Sequence, residues 1–151
     1  MKHAKGNLID LAENGEFDVI VHGANCFNTM GGGIAREIRD RYPEAAVVDS
    51  ATIKGDYNKL GNYTVMLGKQ FNIINAYTQY NMSMGEDVFE YASFAVILQK
   101  LAHEYPTVKF GFPYIGTGLA GGDKDTIMAL IEDFADRIHL TGGEVTLVEF
   151  G

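Results

Sequence analysis

Cysteine, basic charge and long apolar runs are all scarce in this chain, and each scarcity removes a class of protein. The single cysteine, Cys26, has no partner for an internal disulfide, and with the four histidines at positions 3, 22, 103 and 139 it shows no metal-ligand spacing. No cofactor or metal is therefore expected, and the compartment expected is a reducing, cytoplasmic one. No apolar run approaches the roughly 18 residues that a membrane span needs, and the first eleven residues lack the apolar stretch of a secretory signal. A domain free in solution, with no membrane partner, is the expectation. Lysine and arginine number 12 against 20 aspartates and glutamates, a net charge of -8. That field opposes the phosphate attraction on which long RNA or DNA depends, so no long nucleic acid is expected. A small anion remains admissible, because backbone N–H groups at a helix N-terminus hold phosphate locally whatever the net charge.

What is present is apolar mass. With 151 residues, 46% of them hydrophobic, the chain can bury a core as one domain over residues 1–151. The β-branched run at residues 17–22 reads as a buried central strand that ends at Gly23 and Asn25. Residues 34–42 carry Ile34 and Ile38 at helical spacing, with Pro43 as a stop, and residues 44–53 suit a second short helix. Two β-rich runs, 62–67 and 71–77, suit a hairpin or adjacent strands. The longest helix is expected over 87–105, followed by a strand at 108–112, a helix at 125–138 and a last strand at 145–150. Helices alternating with apolar strands predict an α/β fold. Its sheet should be mixed or largely parallel, covered on both faces, with the ligand site at the carboxyl ends of the strands.

Two glycine loops lie at such ends. The first runs from His22 through Asn25 to Gly31, Gly32, Gly33 and Ile34, and the second from Tyr114 through Gly116, Gly118, Gly121 and Gly122 to Asp123. Glycines let the backbone aim N–H groups at one point, and the following helix adds partial positive charge, which together make a phosphate cradle. Either loop alone reads equally as a chain reversal; the pair points to a ligand. The second loop spells the G-x-G-x-x-G dinucleotide fingerprint, but its strand-helix-strand unit stands at the C-terminal end of the chain rather than in paired halves, so it is a weak Rossmann signal.

The segments Val-Ile-Val-His-Gly-Ala-Asn ending at Asn25, Gly-Gly-Gly-Ile-Ala ending at Ala35, and Gly-Thr-Gly-Leu-Ala-Gly-Gly ending at Gly122 together resemble the macro domain family. The similarity is greatest to its short phage-type and ADP-ribose-1''-phosphate-processing members, and it spans nearly the whole chain. It implies a three-layer α/β/α sandwich that binds ADP-ribose at the strand ends. It also implies that Gly31, Gly32, Gly33 and Ile34 surround the distal ribose and first phosphate. Ile115, Gly116, Thr117, Gly118, Leu119 and Ala120 would wrap the diphosphate, and Asn25 would bond the distal ribose. Asn7 and Leu8 fall where the family has an aspartate and an aliphatic residue at the adenine amino group; an amide there keeps an acceptor without the charge. Three departures weaken any transfer of mechanism. Ala35 and Ala120 stand where better-known hydrolase classes keep an aspartate, and no lysine follows residues 77–80.

The resemblance to phosphatase-type members implies hydrolysis of ADP-ribose-1''-phosphate, with Asn25 positioning the ribose and His22 or Asp123 assisting a water without metal. Each candidate has a plainer reading beside it. His22 suits proton transfer, yet strand alternation can turn it into the core. Cys26 beside Asn25 could be an activated thiolate, though free cysteines most often simply pack. Asp123 precedes a helix, where capping is the commoner duty. Tyr114 and Phe150 could stack on adenine or ribose, or belong to the core. Two further readings stay open: a module that binds ADP-ribose or ADP-ribosylated protein without turnover, and removal of ADP-ribose from a modified protein or nucleic-acid end.

Overall fold

The computed structural model describes residues 1–81, 88–114 and 122–150. Six strands form one sheet: β1 (Lys2–Lys5), β2 (Val19–Ala24), β3 (Tyr63–Met66), β4 (Asn72–Tyr77), β5 (Lys109–Phe112) and β6 (Glu144–Glu149). Their order is β1-β6-β5-β2-β4-β3. All neighbours pair in parallel except β3 and β4, which are antiparallel. The mixed, largely parallel sheet expected from the alternating pattern is the one observed.

Among the described residues five α-helices cover it: α1 (Leu8–Glu13), α2 (Gly33–Arg41), α3 (Pro43–Ser50), α4 (Tyr91–Glu104) and α5 (Lys124–Leu140). Alternation along β2 separates the two cores. Val19 and Val21 point to one face, where Phe94, Ile97 and Leu101 of α4 and Ile127, Ile131 and Phe134 of α5 pack with Phe110 and Phe112. Ile20 points to the other, against Leu8, Ile9 and Ala12 of α1, Ile38 of α2 and Ala45 of α3. Three layers result, as the sequence reading implied.

Differences from the sequence reading are local. Pro43 does end α2, and it also opens α3 at the first helical position, where its missing N–H costs nothing. The last long helix begins at Lys124 and runs to Leu140, and the β2 strand lies two residues later than the apolar run suggested. Helix α4 starts at Tyr91 rather than at the expected 87, a position outside the described residues. Helix α1 was not anticipated, because six residues give too little periodicity to read.

Strands β2 and β5 are neighbours, yet the helices that follow them go to opposite faces: α2 joins the α1/α3 layer and α5 joins the α4 layer. This is a topological switch point, where the chain parts outside the carboxyl ends of a parallel sheet and leaves a crevice.

Candidate functional site

A cavity of about 480 Å³ opens at that crevice. It is bordered by Gly6 and Leu8 beyond β1, Gly33, Ile34 and Glu37 of α2, Pro113 and Tyr114 beyond β5, and Val148 and Phe150 at the end of β6. Every one of these lies at or beyond the carboxyl end of a parallel strand. The fold thus brings together five of the residues singled out from sequence, Leu8, Gly33, Ile34, Tyr114 and Phe150. Leu8 is buried in the wall, whereas Phe150, 79% exposed, forms the rim. Tyr114 carries the Lys124 ammonium 4.7 Å above its ring centroid. Ile115, Gly116, Thr117, Gly118, Leu119 and Ala120, expected around a diphosphate, lie outside the described residues.

Gly33 opens α2 with φ of 54°, a left-handed conformation that glycine adopts without strain. Gly32 is the N-cap and Gly31 is exposed. Among the described residues no side chain caps this helix, whereas Asn7 caps α1 and Asp123 caps α5. The first-turn N–H groups of α2, taken by no side chain among the described residues, stand beside the cavity that Gly33 and Ile34 border.

The loop before it is tied internally. Asn25 is buried; its Oδ1 accepts from Phe27 N–H at 2.9 Å, and its Nδ2 donates to Thr29 Oγ1 at 2.7 Å. Asn28 holds φ of 58° and is fixed by Lys59, whose Nζ donates to Asn28 Oδ1 at 2.6 Å and to the Cys26 carbonyl at 3.1 Å. The same ammonium lies 4.8 Å from the centroid of the Tyr77 ring. Lys59 is itself buried, an unusual place for a lysine that three such partners make tolerable. Sequence reasoning missed it, since nothing in the spacing of Tyr57, Asn58 and Lys59 marks one lysine as interior.

The proton-transfer candidates are otherwise engaged. His22 is completely buried on the α3 side of the sheet, where its Nε2 lies 2.6 Å from Asn75 Oδ1. Asn75 Nδ2 donates to the Ala45 carbonyl and to Thr64 Oγ1, so Oδ1 is its acceptor end and His22 Nε2 carries the proton. Nδ1 has no hydrogen-bond partner among the described residues. Burial pushes the imidazole pKa down against the opposing pull of Asn75 and Asp49, which keeps the ring neutral. Alternation along β2 turns His22 inward, as it does Ile20.

Asp123 performs the plainer of its two duties. Its Oδ2 accepts from Thr126 N–H at 3.0 Å and from Thr126 Oγ1 at 2.6 Å, and these bonds hold its carboxyl below the usual range. The Cys26 thiol is buried with Sγ 3.6 Å from the Gln79 carbonyl; burial pushes its pKa up, so it is not an activated thiolate. At the other end of the site Asn7 caps α1, its Oδ1 accepting from Asp10 N–H at 3.0 Å while Nδ2 donates to Glu37 Oε1 at 2.6 Å. Among the described residues no group of three or more histidines, cysteines or acids is placed to hold a metal, and no helix is long and apolar enough to cross a membrane.

The Macro domain family model matches residues 21–131, which include most of β2, the first glycine loop, β5 and the start of α5. The chain belongs to the Macro domain family. A 17.5 kDa protein from the tk-vs intergenic region of Enterobacteria phage T4 is 29% identical over 153 residues, covering 93% of each chain. The macrodomain of DarG from Mycobacterium tuberculosis superposes with a TM-score of 0.70 at 18% identity, covering 88% of this chain and 89% of that one. A Trypanosoma brucei macrodomain solved in complex with ADP-ribose superposes at 0.69 and 17% identity, over 98% of this chain and 62% of that one. These structural likenesses carry the macro domain fold.

Proposed function

We propose that this macro domain binds ADP-ribose, or a derivative of it, in the crevice between β2 and β5. One observation carries the reading: an apolar slot of Leu8, Ile34, Val148 and Phe150 runs directly into the uncapped, glycine-led start of α2, with Gly33 and Ile34 common to both. The slot suits a nucleobase, and first-turn N–H groups that no described side chain caps suit a phosphate oxygen. The ADP-ribose held by the T. brucei macrodomain supports the same ligand class.

Within this reading the non-catalytic module is favoured over hydrolysis of ADP-ribose-1''-phosphate. Turnover needs a proton-transfer group within reach of the ribose. His22 is buried in the core and Asp123 is spent on a helix cap, while Asn25 orders its own loop and has no acid-base chemistry. Calorimetric titration with ADP-ribose tests the binding; absence of heat at millimolar ligand would overturn it. Phosphate release from ADP-ribose-1''-phosphate is then followed with the parent and with Asn25→Ala. Release that depends on Asn25 would restore the phosphatase reading. Release of ADP-ribose from a modified protein would instead install the third one.

A further inference from the structure

We infer that Glu37, rather than residue 7, is the group that reads the base in this cavity, accepting the exocyclic amine of adenine. The inference rests on the ADP-ribose reading above and adds to it the residue that sets base specificity.

Residue 7 is already committed. Asn7 Oδ1 takes the Asp10 N–H at 3.0 Å, with Arg41 NH1 a further 3.4 Å contact, and its Nδ2 faces Glu37. Glu37 stands four residues after Gly33 on α2, hence on the same helix face, and it borders the same cavity. It is the one charged side chain among the described lining residues, the others being glycine, proline, aliphatic or aromatic. Its Oε1 is held by Asn7 Nδ2 at 2.6 Å and by Arg41 NH1 at 3.2 Å. Arg41 is anchored in turn by Asp10 at 2.8 Å and by Glu13. Oε2 accepts from none of the described residues. One oxygen is thus fixed by a network and the other left over, on a carboxylate at the edge of an apolar slot.

A carboxylate only accepts hydrogen bonds. A purine with an amine at C6 satisfies it, whereas a purine with a carbonyl there sets lone pair against lone pair and leaves a half-desolvated charge unpaired. That asymmetry is what gives polar sites their discrimination. The chain therefore distinguishes adenine from hypoxanthine through α2, one helical turn from the phosphate-facing glycines.

The test compares dissociation constants for ADP-ribose and for inosine diphosphate ribose, which differ in that one substituent. The parent protein is expected to favour ADP-ribose by about tenfold or more, the worth of a hydrogen bond to a charged group. In Glu37→Gln the Asn7 and Arg41 donors retain the amide oxygen, so the amide nitrogen takes the place of Oε2 and the preference reverses. A residue that merely anchored Arg41 would weaken both ligands alike and leave the ratio unchanged. An unchanged ratio in the variant overturns the inference, and so does equal binding of the two ligands by the parent, a measurement that needs no variant to fold. If the parent binds neither ligand, the ADP-ribose reading fails and this inference with it; if it binds both equally, the inference alone fails.

Discussion

Lys59 Nζ donates to Asn28 Oδ1 at 2.6 Å, and through this bond a buried ammonium holds the loop that joins β2 to the glycines of α2. The pair also bears on backbone strain, since Asn28 is the non-glycine residue kept at positive φ among those described.

Replacing Lys59 by methionine keeps the aliphatic stem and removes the donor. The Cys26 carbonyl then loses its partner, and Asn28 keeps only Thr52 as a donor to Oδ1. Loss of hydrogen bonds from a charged group should cost about 2 kcal/mol. Thermal unfolding should show Tm lower by roughly 4–8 °C for a chain of this size. Affinity for ADP-ribose should fall as well, because Asn25 and the glycines hang on the same loop. A variant that melts with the parent would remove Lys59 from any part in holding the loop.

His22 makes a prediction about pH. Burial lowers its pKa in the folded state below the unfolded value of about 6.5, so as pH falls the unfolded chain takes up the proton first. Stability from the neutral ring is complete above the unfolded pKa and is lost as pH falls below it, at up to about 1.4 kcal/mol per pH unit. The urea midpoint of the parent should therefore drop between about pH 7 and pH 5 more steeply than that of His22→Gln. Parallel midpoint curves for the two proteins would contradict the buried, neutral assignment.

Asp123 separates capping from catalysis. Asp123→Ala should lower Tm by exposing the first-turn N–H groups of α5, and Asp123→Ser, another good N-cap, should recover most of the loss. Both variants should bind ADP-ribose with an affinity near that of the parent. If serine restores the melting temperature but not the affinity, the carboxylate has a ligand role that its bonds to Thr126 conceal.

The parts of this fold that were legible in the sequence are those where burial imposes a pattern. Strands β2 and β5 are covered on both faces and so read as apolar runs, and α4 and α5 are long enough for helical spacing to show. Helix α1 has six residues, too few for helical spacing to show. For His22, alternation offered two faces, and only the position of Asn75 on the neighbouring strand decides between them. Lys59 and Glu37 were illegible for a different reason. Their significance lies in partners 31 and 30 residues away, at Asn28 and Asn7, and no local spacing encodes such a pair.

The parting of α2 and α5 to opposite faces has a consequence for how this crevice changes over time. Its two walls are rooted in separate cores, one built on Ile20 and Ile38 and the other on Phe110 and Phe134. Substitutions in walls that share no packing partners combine almost additively. Selection can therefore rework the base-facing side without disturbing the anchoring of α5, and replace groups near α5 without unseating Glu37.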